Sequence, residues 1–428
     1  MSTAGARHGA AIEEVWDRVR GTDRAVVVDS PPGAGKSTLV RELTRRLVAA
    51  GEHVPIVVQT NDQADDLVIA LAGAGLNTGR LHGQEWTPPR GWPRTKVRTG
   101  TKLGELGGSD VIVGTAAKWA YVKADERVWP LGIIDEAYQM SAAALVRVGH
   151  LFDRLLLVGD PGQLAPFTVA DEHSVRSMAT WPLDTAAGTL LRHHPQTPVV
   201  PLPVSWRLAP HTAPVISDAF YTRAFTAGAA PQDRRLELGS LTHPALAHAA
   251  DHGWALLELP EAHVPRTDPA LVATLAELVH QLVTAEASTV DPSGARPLSH
   301  ADVAVGVVHR DQKAHVEAAL QRRGVTGVTV DTANRLQGRQ YEVVLAWHPL
   351  SGRRDASAFH LEAGRLCVLA SRHRQACVVV TRGGVEEQLH AYPAAEPVWL
   401  GTDPPQVDGW EANRAFLERL AAHRVPHR

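Results

Sequence analysis

The sequence predicts an α/β protein of two consecutive units, each a parallel β-sheet flanked by helices. Three observations lead there. Short runs of Val, Ile and Leu alternate with amphipathic stretches through most of the 428 residues, the pattern of buried parallel strands covered by helices. Several of those runs end in a polar residue suited to chemistry, as expected where ligands bind beyond the carboxyl ends of strands. A glycine-containing turn, Gly33 to Gly35, joins the first apolar run to the first amphipathic stretch.

The strands expected are Ala25 to Asp29, Val54 to Val58, Val111 to Gly114, Leu131 to Asp135 and Leu155 to Asp160 in the first unit. In the second they are Val303 to Val308, Val328 to Asp331, Glu342 to Trp347 and Ala376 to Thr381. Ser37 to Ala49 carries Leu39, Val40, Leu43, Leu47 and Val48 along one helical face. The proline-rich stretch His194 to Pro203 reads as the link, so the units are 1–200 and 201–428, and Asp291 to Pro297 reads as a loop.

Composition narrows the function classes. A hydrophobic content of 44%, a charged content of 21% and a net charge of -3 describe an ordinary globular chain without a global basic field. Any grip on phosphates must therefore be local. No run approaches the roughly 20 apolar residues that span a bilayer, and Met1 to Ala10 lacks a signal-peptide core, so a cytoplasmic protein without membrane partners is expected. Cys367 and Cys377 stand in apolar segments and read as small buried residues rather than a disulfide or zinc site.

Ser30-Pro31-Pro32-Gly33-Ala34-Gly35-Lys36-Ser37-Thr38 follows an apolar strand and opens a helix, the context of a phosphate-binding loop, with Ser30 where a leading glycine is usual. Glycines at positions 33 and 35 let the backbone curl its N–H groups inward, and the helix start adds partial positive charge. Pro32 to Thr38 would then cradle the phosphates of ATP, with Lys36 reaching the β and γ groups and the Ser37 hydroxyl ligating Mg²⁺. Ile133 and Ile134 lead into Asp135 and Glu136. An acid pair at the tip of a buried strand suits Mg²⁺ ligation by Asp135 and orientation of the attacking water by Glu136. A further strand ends in Gly159-Asp160-Pro161-Gly162-Gln163, whose Gln163 suits hydrogen bonding to the γ-phosphate.

In this order the three segments resemble the first half of superfamily 1 helicases, and the DEAxQ form of Asp135 to Gln139 favours the branch containing the nonsense-mediated-decay helicases. Val204-Ser205-Trp206-Arg207 resembles the S-Y-R motif, which implies that Trp206 stacks on adenine and Arg207 reaches the γ-phosphate. Val307 to Gln312 is similar to the strand leading into Y-x-x-Q, with His309 in place of tyrosine. Val330 to Gln340 resembles D-T-x-x-x-x-Q-G-x-E, with Gln340 where glutamate is expected against the ribose. LCVLASRHR, Leu366 to Arg374, resembles V-A-L-T-R-A, which makes Arg372 the finger arginine. The resemblance runs from about Ala25 to Thr381 and implies two tandem RecA-like P-loop NTPase domains. It departs in lacking an adenine-reading glutamine, where Ala11 to Val19 offers Glu13 and Glu14, and in leaving no room before the first strand for an accessory domain.

The resemblance also implies a track for single-stranded DNA or RNA. Gln59-Thr60-Asn61, Gly114-Thr115 and Thr332 match positions that hydrogen-bond the strand backbone, contacts that fix position without reading bases. WTPPRGWPRTKVR, Trp86 to Arg98, interleaves Trp86 and Trp92 with Arg90, Arg94, Lys96 and Arg98. Such a segment either stacks bases or is a surface loop whose tryptophans pack on their own domain, and the same two readings hold for Lys118 and Trp119. The implied mechanism is a two-state clamp in which Arg207 and Arg372 act on nucleotide held by the first unit and stepping runs 5′ to 3′. The alternative is a nucleotide-gated clamp or recruitment switch that does not unwind. With no nuclease or zinc segment legible, strand processing would call for a partner nuclease or similar protein.

Overall fold

The computed structural model describes residues 2–93, 95–123, 128–166, 182, 184–239, 243–355, 357–391 and 407–426. The chain divides into two compact units. The first takes in residues up to Pro161 and those from Ala165 to Leu202; the second takes in Gly162–Leu164 and the described residues from Pro203 onward. No helix among the described residues is long and apolar enough to cross a membrane.

The first unit is built on β1 (Ala25–Asp29), β2 (Val54–Val58), β3 (Thr78–Leu81), β4 (Val97–Gly100), β5 (Val111–Thr115), β6 (Gly132–Asp135), β7 (Leu155–Gly159) and β8 (Val199–Pro201). They form one sheet in the order β4-β3-β5-β2-β6-β7-β1-β8, and every pairing is parallel. Successive residues of its central strands divide between two cores. Val26, Val28, Ile56, Val58, Ile133, Leu156 and Val158 face one, with the helices Lys36–Ala49 and Asn61–Gly73. Val27, Val57, Ile134 and Leu157 face the other, with Trp119 and the helix Ala186–His193. A sheet buried on both faces needs continuous apolar strands, which is why these runs are Val- and Ile-rich rather than alternating with polar residues.

The second unit begins with β9 (Val204–Ser205), β10 (Thr226–Ala227) and β11 (Arg235–Glu237), and continues with β12 (Trp254–Leu259), β13 (Ser288–Asp291) and β14 (Gly294–Pro297). It ends with β15 (Val303–Val307), β16 (Thr329–Thr332), β17 (Tyr341–Trp347), β18 (His373–Arg382) and β19 (Arg424–Pro426). Its main sheet has the order β16-β15-β17-β18-β12-β19, again parallel throughout. The helices Pro269–Thr284 and Arg310–Arg322 pack together, as do Ala213–Phe220 and Gly409–Leu420, and all four contribute to one apolar core with the strands. Both cysteines are buried there.

The expected fold class is therefore the one observed; β3 and β4 extend the first sheet beyond the five strands expected, and three further segments differ. The proline-rich link contains an edge strand, β8, paired with β1; prolines are tolerated at a sheet edge, where no ladder donor is missed. The loop expected at Asp291 to Pro297 is the turn and second strand of a hairpin, β13 to β14, with Gly294 at φ 117°. The strand β12, WALLEL, escapes a sequence reading because its Ala, Leu and Glu favour helix, yet it lies between β18 and β19 where packing decides.

Gly132 opens β6 with no space for a side chain: a Cβ there would lie 2.5 Å from Cγ of Phe152. Gly132→Ala is expected to cost about 1 to 3 kcal/mol through overpacking, read as a lower urea midpoint for the first unit.

Candidate nucleotide site and nucleic-acid track

The phosphate loop is held from below by its own sheet. The Ser30 amide donates to Gly159 O at 2.8 Å, tying the loop to the end of β7, and the Ala34 amide donates to Pro31 O at 3.0 Å. Gly33 and Gly35 take φ values of 72° and 85°, the left-handed region that a side chain disfavours. Gly35 then starts the helix, its carbonyl accepting from Thr38 and Leu39 at 2.9 Å. Ser37 and Thr38 are exposed at this first turn, where helix N–H groups lack intrahelical partners. Thr38 Oγ1 accepts from Arg41 at 3.4 Å.

Lys36 turns to the tip of β6. Its ammonium lies 3.0 Å from Asp135 and also contacts Glu136, and both acids are buried. Glu136 has φ 57°, a left-handed conformation rare for a residue with a side chain, and its amide donates to Asp135 Oδ1 at 2.9 Å. Burial pulls the Lys36 ammonium toward neutrality, but Asp135 and then Glu136 more than offset this and hold it charged well above its ordinary range. For Glu136 burial dominates: its carboxyl is raised above the usual range despite the attraction of Lys36. Nearby, Tyr138 donates its hydroxyl to Asp29 Oδ1 at 2.6 Å, and Gln59 Nε2 donates to Asp135 O at 3.4 Å. The donor set fits ATP with Mg²⁺: a hydroxyl and carboxylates are the hard oxygen ligands that this ion takes, few from protein and the rest from phosphate and water.

In the second unit Arg207 and Arg372 meet at one residue. Arg207 Nη1 donates to Ser371 O at 3.3 Å, and Arg372 Nη2 donates to Ser371 Oγ at 2.9 Å. Arg372 is 0% exposed, and among the described residues its Nε and Nη1 have no hydrogen-bond partner. Trp206 is half-buried on Gly228, where a Cβ would come 2.4 Å from the indole, and its carbonyl accepts from Arg234 at 3.1 Å. Gln163 groups with this unit, its Oε1 accepting from Gln337 Nε2 at 3.0 Å. Gln340 is exposed.

Two family models, each described as an AAA domain, match residues 13–182 and 186–383. The chain is similar to the mouse DNA replication ATP-dependent helicase/nuclease DNA2, 26% identical over 341 residues, covering 73% of this chain and 31% of that protein. The bovine protein of the same name is 24% identical over 398 residues, covering 85% of this chain and 35% of its own length. The chain belongs to the superfamily 1 helicases.

It spans about a third of the length of those two relatives. Among solved structures it is similar to the arterivirus nonstructural protein 10 helicase, with 16% identity, a TM-score of 0.46 and coverage of 87% of this chain and 61% of that one. It is also similar to the E. coli DExH-box NTPase HrpB, with 14% identity, a TM-score of 0.44 and coverage of 97% and 48%. The choice of branch within the helicases rests on the DEAxQ segment alone.

The helicase positions expected to touch nucleic acid stand at helix starts beyond strand ends. Thr60 follows β2 and caps the helix Asn61–Gly73, accepting from the Gln63 amide while Gln63 reaches back to the Thr60 amide. Thr115 ends β5 and accepts from the Lys118 amide at 3.3 Å. Thr332 ends β16 and precedes the helix Ala333–Leu336. Asn61 is committed elsewhere, its Oδ1 accepting from Arg80 at 2.9 Å.

Trp92 is a correction. Only 9% exposed, it belongs to the apolar core of the first unit and meets Trp86 edge-on at 5.1 Å, so it offers no open face to a base. The reason is a network that the sequence reading missed. Arg80, fully buried, donates to Asp65 at 2.7 Å and to Leu81 O at 2.7 Å, and Trp86 Nε1 donates to the other Asp65 oxygen at 3.0 Å. The charge pair between Arg80 of β3 and Asp65 of the helix Asn61–Gly73 holds Trp86 through Asp65, and Trp92 packs against Trp86. Trp119 is likewise buried, its Nε1 donating to Ile56 O at 3.0 Å. Arg94 lies outside the described residues. A buried guanidinium stripped of its carboxylate is costly, so Asp65→Ala is expected to lower stability by about 3 kcal/mol, with Asp65→Asn losing less; urea unfolding of the two variants checks this.

Proposed function

We propose that this protein is an ATP-hydrolysing motor that moves along single-stranded DNA or RNA, or unwinds it, in the 5′ to 3′ direction that the family resemblance implies. The observation that carries the reading is the charge triad at the phosphate loop: Lys36 between Asp135 and Glu136, with Glu136 held in a left-handed backbone. Ser37 and Asp135 would hold Mg²⁺, which when bound neutralises charge developing on the phosphates.

The residues of the chain do the remaining work. Pro32 to Thr38 wrap and orient the triphosphate, and Lys36, already charged, transfers its attraction from the acid pair to the phosphates. That transfer releases Glu136 to accept a hydrogen bond from water and take its proton. Arg207 and Arg372 supply positive charge to the phosphoryl group in flight, a contribution that elsewhere is worth roughly 10³ to 10⁵ in rate. Trp206 stacks on the base, Gln163 senses the γ-phosphate and Gln340 bonds the ribose. Thr60, Thr115 and Thr332 hold the strand backbone without reading sequence, whereas Asn61 is held by Arg80. A partner nuclease or another processing protein would act on the strand so moved.

Phosphate release measured with and without single-stranded DNA and RNA tests the reading: strong stimulation is expected, and equal rates would favour a nucleotide-gated clamp instead. Lys36→Ala and Arg372→Ala should each abolish hydrolysis, with circular dichroism confirming that the variants are folded, whereas Glu136→Gln should retain nucleotide without turning it over.

The acid limb of the rate profile should reflect Glu136. The residue works only when ionised, and burial raises its carboxyl, so activity should fall at a pH above the ordinary carboxylate range. A limb lying within that range would remove Glu136 as the base.

A further inference from the structure

Trp206 stands where the family motif carries tyrosine, and its larger ring needs room that tyrosine would not. The strand that leads into it, β9, pairs in parallel with β10, and the ladder runs on to the Gly228 amide, which donates to Ser205 O at 2.7 Å. That bond sets Gly228 against the indole. A Cβ on Gly228 would lie 2.4 Å from Cε3 and 2.6 Å from Cζ3 of Trp206, and 2.8 Å from Cγ1 of Val204. Gly228 does not take the left-handed backbone that glycine adopts elsewhere in the chain, so space rather than conformation calls for it. Any side chain here would push the six-membered half of the indole from its seat.

The peptide that joins Trp206 to Arg207 is held as well. Arg234, 8% exposed, donates from Nη2 to Trp206 O at 3.1 Å and from Nη1 to Asp233 O at 3.2 Å, and among the described residues its Nε has no hydrogen-bond partner. Both bonds go to main-chain carbonyls. Burial, then the nearby Arg374, pushes the guanidinium below its ordinary range, against the attraction of Glu342. A buried cation without a hydrogen-bonded carboxylate is a poor source of stability. What Arg234 does fix is one peptide plane, and that plane sets the directions in which Trp206 and Arg207 leave the chain. Arg207 runs on to Ser371, whose carbonyl it meets at 3.3 Å.

We propose that Gly228 and Arg234 are positioning residues for the Trp206–Arg207 pair: Gly228 seats the indole for the base, and Arg234 fixes the peptide that aims the indole and the Arg207 guanidinium together. The proposal rests on the reading above, in which Trp206 stacks on the base and Arg207 reaches the γ-phosphate, and adds two residues that act only through that pair. They divide the work. Gly228 touches the indole and therefore bears on base binding, whereas Arg234 holds the peptide shared by both side chains and so bears on base binding and on the phosphoryl step. A ring already seated loses little freedom when a base settles on it.

Steady-state phosphate release from ATP by the full chain, with inorganic tripolyphosphate as a competitor that has no base, tests this. Gly228→Ala should raise KM for ATP roughly tenfold with a smaller change in kcat, and leave inhibition by tripolyphosphate as in wild type. The penalty should shrink in a Trp206→Phe background, where the shorter ring withdraws from the added methyl. Arg234→Met should raise KM and lower kcat together, and Arg234→Lys, which keeps a donor near the Trp206 carbonyl, should recover part of both. Kinetic constants that neither variant moves, equal weakening of ATP and tripolyphosphate by Gly228→Ala, or the same Gly228→Ala penalty in both backgrounds overturns the positioning role while leaving the motor reading in place. Trp206→Ala with a wild-type KM overturns the stacking reading and this proposal together.

Discussion

A buried ammonium between two buried carboxylates constrains the first unit more than any other feature. Lys36 begins the helix that follows β1, whereas Asp135 ends β6, and β7 lies between those strands. Two strand spacings are about 10 Å, a distance the long lysine side chain crosses over the end of β7. That strand ends in Gly159, where a Cβ would come 3.0 Å from both the Ala137 amide and the Tyr138 ring. The same glycine carbonyl receives the Ser30 amide, so one small residue both lets the chain after the acids pack close and anchors the phosphate loop. Gly33 and Gly35 then turn the chain so that Lys36 leaves the loop toward the acids.

The electrostatics of the triad are those of a site that exchanges partners. Burying one charge alone is prohibitive and burying a pair is close to break-even; here one cation faces two acids, so an acid is left in excess and burial pushes Glu136 toward its neutral form. A polyphosphate offers Lys36 more negative charge than the acids do. Taking it removes the cation that had held Glu136 charged, unless a divalent ion arrives with the phosphates.

Most of this geometry was legible because strand ends and loops have local signatures. The turn at Gly33 to Gly35 and the acids behind Ile133 and Ile134 each declare themselves within a few residues of a buried strand. What stayed hidden depends on long-range partners. Nothing near Arg80 in sequence marks it as a buried ion: its carboxylate is Asp65 and its amide partner Asn61, both on the preceding helix. That network sent Trp86 and Trp92 inward, although their arginine-rich surroundings suit a stacking loop. Phe359 is a parallel case, its setting made by His309, 50 positions earlier, and by Arg365 over its ring. Aromatic side chains near cations announce a polar setting, and only the fold decides which face stays open.

The second unit adds a mechanical argument. Phe359 and Arg372 lie at opposite ends of the helix Ala363–Ala370, in which every residue from Gly364 to Ala370 is buried. Eight helical residues span about 12 Å, and a helix enclosed on all sides in a close-packed core moves as a body rather than bending. Arg365 touches the phenyl ring at one end of this rod, and Ser371, which receives both Arg207 and Arg372, follows directly at the other. A displacement at Arg365 would therefore reach Ser371 through a rigid element and not through a loop. Packed interfaces of this kind switch between arrangements instead of yielding continuously.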